Sequence, residues 1–100
     1  MPEPWQECEG FDWDEHNSLK NWRKHAVAPR EAEGVFFNRP LAVAADEKHP
    51  AGENRFYALG HTDAGRFLFI AFTIRLRRIR VISARDMHRK EREAYTSAHN

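Results

Sequence analysis

One cysteine, Cys8, stands in a chain of 100 residues, so no internal disulfide framework can staple the fold, and a reducing, cytosolic compartment fits. No uninterrupted apolar run approaches the ~20 residues that span a bilayer, and the opening MPEPWQECEG is acidic without an apolar signal core. A soluble, cytoplasmic protein with no membrane partner is expected. Net charge is nearly absent too: 16 Lys and Arg face 15 Asp and Glu, giving +1 at pH 7. Bulk electrostatics therefore say little about partners. GxGxxG, P-loop and GxSxG motifs are missing, which leaves nucleotide cofactors and serine hydrolase chemistry without support. The six histidines form no HxxxH pattern and one cysteine cannot make CxxC, so neither a metal nor another cofactor is expected.

Aromatic residues are plentiful by contrast. Seven Phe, three Trp and two Tyr, beside 31% charged residues and a mean hydropathy of -0.79, suit a small globule with much surface; a disordered chain would lack the aromatics. One domain is expected at this length, with residues 1–10 as an extended tail that Trp5 can anchor and residues 11–97 as the folded unit. FDW (11–13) alternates like a short strand. Asp14 has N-cap chemistry for a helix to His25, with Leu19, Trp22 and Ala26 at the spacing of an inner face. Pro29 opens a second helix, whose Ala32, Val35 and Phe36 point inward before NRP (38–40) ends it. LAVAA (41–45), RFYALGH (55–61), RFLFIAFTI (66–74) and IRVISAR (79–85) read as strands. Between the second and third, TDAG supplies Gly65 for a tight turn; DEKHPAGEN (46–54) is a polar connector and RLRR turns the chain again. A last helix runs from about Asp86 to Tyr95, with Met87, Ala94 and Tyr95 inward. The expected fold is therefore α+β: a mainly antiparallel sheet of about four strands, two N-terminal helices and one C-terminal helix.

Charge is unevenly spread. From Arg66 to Arg92 nine Arg and Lys meet only Asp86 and Glu91, whereas the first 65 residues are acidic. Such asymmetry suits a polyanion, nucleic acid above all, although a solvated charged face would look the same. By strand alternation Arg78 and Arg80 share a face with Ile82 and Ala84, while Ser83 and Arg85 look the other way. Arg80, Arg85 and the amides opening the last helix could cradle a phosphodiester. Cleaving RNA needs no metal when a base removes the 2′-hydroxyl proton, cations stabilise the phosphorane and an acid protonates the leaving oxygen. His25 is the candidate for proton transfer, with Lys24 and the arginines as charge stabilisers. Each has a structural alternative. Lys24 and His25 can serve a helix end, Arg80 and Arg85 can pair with Glu31, Glu53 or Glu91, and Ser83 can be a satisfied core hydroxyl.

Four ordered blocks carry a resemblance. FDWD with NWRKHAV, EAEGVF, RFYALG, and RIRVISARDMHRKEREAY together resemble the BrnT family, toxins of bacterial type II toxin-antitoxin modules, over about Phe11 to Tyr95. The resemblance implies a compact RelE-like α+β fold, endoribonuclease activity that slows translation, and neutralisation by a BrnA-like antitoxin, in a dimer or a heterotetramer with that partner. Carried over by position, its site residues fall on Asn21, Lys24 and His25, on Arg55, and on Arg80, Ser83 and Arg85. Lys24, His25, Arg80 and Arg85 stand as catalytic candidates, and Arg55, Arg78 and Ser83 as RNA-binding ones. Asn17, Ala26 and Asn54 replace the family's common lysine, glycine and glutamate. Ala26 speaks against a left-handed helix ending there. The alternative function is a non-catalytic antitoxin-binding or RNA-binding module that tunes operon repression.

Overall fold

A computed structural model describes residues 4–46 and 54–98. The strands are β1 (Gly10–Phe11), β2 (Ala42–Ala45), β3 (Arg55–His61), β4 (Phe67–Arg75) and β5 (Arg78–Asp86); the helices are α1 (Glu15–His25), α2 (Pro29–Val35) and α3 (Arg89–Ala98). One five-stranded sheet has the order β1-β5-β4-β3-β2. Its longer strands pair antiparallel, and β1 adds a fifth strand parallel to the start of β5. Pro4–Glu7 coil into a 3-10 turn where the sequence suggests an extended lead-in, and Trp5 and Cys8 pack on the core. Most of the 46–54 connector lies outside the described residues. No described helix is long and apolar enough to cross a membrane.

Strand β4 is apolar on both faces because both are covered at least in part. Leu68, Ile70 and Phe72 point toward α2, and with Val27, Ala32, Val35, Phe36, Ala58, Ile79, Val81 and Ala84 they form the main core. Phe36 meets Phe72 edge-on at 5.1 Å between centroids, and Phe56 stacks on Phe72 at 5.4 Å. On the other face α3 is pinned by Tyr95. Its hydroxyl donates to the Pro40 carbonyl at 2.6 Å, lies 3.0 Å from His61 Nδ1, and its ring packs edge-on against Phe67. Met87 is buried as expected, but Ala94 faces solvent, because β5 continues through Asp86 and α3 starts only at Arg89.

Two departures bear on the site. Helix α1 does not bury the stripe its apolar residues suggest: Leu19 and Trp22 are 45% and 56% exposed, and its buried residue is Asn21. The reason is where the helix lies. It runs along β5 beyond the two residues that β1 covers, and there the strand offers a polar group; Asn21 Oδ1 accepts from the Ala84 amide at 3.3 Å. The second departure is a β-bulge. Ala71 faces Ser83 but Phe72 faces Val81, so Ile82 is an extra residue in β5. The inserted residue resets the alternation. Ala84 consequently joins Val81 in the core instead of sharing a face with Arg80, and Arg80 and Arg85 emerge on the same face, opposite Thr73 and Phe69.

Candidate functional site

Asp14 caps α1 as its chemistry predicts, its Oδ1 accepting from the His16 amide at 2.8 Å. At the other end the helix closes on Ala26 in a left-handed conformation, φ 53° and ψ 41°, with its amide donating to the Asn21 and Trp22 carbonyls. The left-handed ending therefore occurs without glycine. What holds it is Arg66, at the base of the β3–β4 hairpin, where Gly65 takes φ 88° and Thr62 accepts the Arg66 amide at 3.0 Å. All five guanidinium protons are used. Nε donates to Asp86 Oδ1 at 2.7 Å, one terminal nitrogen to the Ala26 carbonyl at 2.8 Å and Glu31 Oε2 at 3.2 Å, and the other to the His25 carbonyl at 2.9 Å and Asp86 Oδ2 at 3.1 Å. Glu31 in turn accepts the Ala28 amide at the start of α2. One side chain thus ties together the end of α1, the start of α2 and the end of β5.

Arg85 stands on the neighbouring strand position, with its guanidinium 4.2 Å from the Phe69 ring centroid. It grips both oxygens of Glu91 at 2.8 and 3.0 Å and donates to the Asp86 carbonyl. Glu91 also accepts the His88 amide that opens α3, so an internal carboxylate fills the seat that the sequence offers to a phosphodiester. The electrostatics follow from these contacts. The Arg66 fork holds the Asp86 carboxyl below its ordinary range, helped by the charges of Arg92 and His25; the Arg85 fork does the same for Glu91. Asp86 likewise raises Arg66.

The predicted residues divide into groups. Half-buried His25 lies close enough to Asp86 for its charge to act on that carboxyl, with exposed Lys24 beside it in sequence, while Arg85 turns to Glu91 and Phe69 on the other face of β5. Arg80 does not join them. It pairs with Asp14 at 2.9 Å and Asp12 at 3.3 Å, at the opposite end of α1, about 15 Å away by the rise of an 11-residue helix. Its partners are therefore neither Glu31 nor Glu91, and Glu53 lies outside the described residues. Arg55 opens β3 on the same sheet face as Arg80 and Arg85, Ser83 is half-buried opposite Ala71, and Arg78 is exposed at the far end of β5 beside Arg75. Arg66, Asp86 and Arg92 escape a reading by spacing, since their roles depend on a hairpin base, a strand end and a helix meeting. Among the described residues Lys24 and Arg92 have no ion pair. Arg92 lines a shallow depression of about 380 Å³ together with Gly65, Arg66, Phe67 and Asp86. No three His, Cys, Asp or Glu among the described residues gather as a metal-holding group.

A family model described as the ribonuclease toxin BrnT of type II toxin-antitoxin systems matches residues 13–91. The chain belongs to the BrnT family. That extent runs from Trp13, whose indole donates to Glu33 at 2.6 Å, to Glu91, so it contains Arg66 and every group that Arg66 binds. The crystal structure of the Brucella abortus ribonuclease toxin BrnT shares the fold, with a TM-score of 0.58 at 18% identity, covering 80% of this chain and 97% of that one. No curated protein matches the chain by sequence. A BrnT toxin is a ribonuclease toxin of a toxin-antitoxin module, so RNA and an antitoxin are the partners the family implies.

Proposed function

We propose that this BrnT protein cleaves RNA at the corner where α1 ends, with His25 transferring protons and Lys24 and Arg92 stabilising charge. The supporting observation is the meeting of the Lys24-His25 turn, Asp86 and Arg92 around Arg66. It places the His25 imidazole near Asp86, and Arg92, a cation without a carboxylate partner among the described residues, on an open depression. A phosphodiester entering there would meet positive charge and an imidazole that can donate or accept a hydrogen bond. The base takes the 2′-hydroxyl proton, the 2′-oxygen bonds to phosphorus, and the 5′-oxygen leaves with a proton, giving a 2′,3′-cyclic phosphate and a free 5′-hydroxyl. The reaction is metal-independent, it slows translation, and a BrnA-like antitoxin ends it by covering the basic corner. Arg80 supports α1 from its N-terminal end, while Arg55, Arg78 and Ser83 extend the RNA track along the sheet.

The test is cleavage of RNA by the purified, antitoxin-free protein with and without chelator, with and without ribosomes. Cleavage in both chelator arms, slowed about 100-fold or more by His25→Ala, supports the proposal. RNA binding without product in every arm would instead leave the non-catalytic reading standing.

A further inference from the structure

We infer that Arg66 is a positioning residue for cleavage, setting Lys24-His25 by holding the left-handed turn at Ala26. This rests on the proposed role of His25. Ala26 has a side chain in a conformation that L-residues disfavour, and two adjacent carbonyls at this helix end, those of His25 and Ala26, both turn onto one guanidinium. Helix carbonyls of the last turn have no partner inside the helix; here Arg66 supplies one, and Asp86 and Glu31 fix its plane by three further bonds. The fork geometry is what matters. A lysine would keep the positive charge beside Asp86 but could not reach five acceptors across α1, α2 and β5. His25 is the last residue of α1, one position before the strained turn, so a change in that turn re-aims the imidazole directly. Displacements of about 1 Å in a reacting group can cost about 100-fold in rate.

The experiment compares Arg66→Lys, Arg66→Gln and His25→Ala with the wild type, and places Ala26→Gly in the Arg66→Gln background, where glycine makes the turn without help. RNA cleavage gives kcat and KM, and NMR of the His25 imidazole reports its surroundings in the absence of RNA. Arg66→Lys and Arg66→Gln should each lose about 10- to 100-fold in kcat with KM changed less than about threefold, and shift the His25 resonances. Ala26→Gly should return part of the lost kcat. A folded Arg66→Lys protein with wild-type kcat and unmoved His25 resonances would overturn the inference. Undiminished cleavage by His25→Ala would instead sink the proton-transfer role, whereas the resonances in Arg66→Lys decide the positioning independently.

Discussion

Replacing Ala26 by glycine should make this protein more stable, against the ordinary expectation for a helix-terminal substitution. Ala26 sits at φ 53°, ψ 41°, where an L-residue costs roughly 1–2 kcal/mol that glycine avoids. Glycine also gains conformational freedom in the unfolded chain, worth about 0.4–1 kcal/mol against the folded state. The Ala26 methyl group is exposed, so removing it forfeits little burial. The difference favours the folded variant by roughly 0.5–1 kcal/mol. For a domain of this size that is a rise of about 2–8 °C in Tm. Thermal unfolding followed by circular dichroism measures it, with urea unfolding as an independent check that the slope is unchanged. A Tm at or below the wild-type value would refute the reasoning. It would mean that Arg66 already removes the strain, or that the turn is not left-handed in solution.

The β4–β5 hairpin offers a second case, because its two central residues, Leu76 and Arg77, have φ 51° and 64°, the signature of a turn that prefers Asn-Gly. Leu76→Asn with Arg77→Gly should raise Tm, at the expense of the exposed contacts that the Arg77 guanidinium makes with the Glu9 carboxylate and the Glu7 carbonyl. Gly60→Ala should lower stability by about 1–3 kcal/mol, since a Cβ there would stand 2.6 Å from the Cγ1 of buried, β-branched Val35; chemical denaturation would show it. Acid should destabilise the fold through Asp86 and Glu91. Both carboxyls have lowered values in the folded state, so their contribution is complete above the unfolded values near 4 and is lost as pH falls through the lower folded ones. Glu91→Gln should flatten the dependence of Tm on pH below about 5. Arg80→Ala should lower Tm by releasing the Asp12 and Asp14 pairs while slowing RNA cleavage less than His25→Ala does, which a paired melt and kinetic assay resolves.

Local chemistry made several elements readable. Asp14 caps α1 because a carboxylate accepts a first-turn amide wherever it is placed there. Pro29 starts α2, Gly65 turns the β3–β4 hairpin, and the strands at 55–61 and about 67–75 follow their β-branched and aromatic content. The ordered motifs carried the family. The inner face of α1 was not readable, because Leu19 and Trp22 have helical spacing but the surface that α1 meets is a strand edge with an amide to satisfy, which selects Asn21. The relation of Arg80 to Arg85 was equally hidden. One extra residue in β5, visible only against its β4 partner, reverses the alternation, and a five-residue separation then sends Arg80 to Asp14 and Arg85 to Glu91.

Sequence alone thus determined which segments become helix or strand and which family the residues resemble, since both depend on neighbours a few positions apart. The tertiary structure alone decided which of sixteen basic residues matter at the Lys24-His25 turn. Arg66 is 40 residues from Ala26 and 20 from Asp86 along the chain, and five directed hydrogen bonds can converge on one guanidinium only after hairpin, helix ends and strand end have packed together.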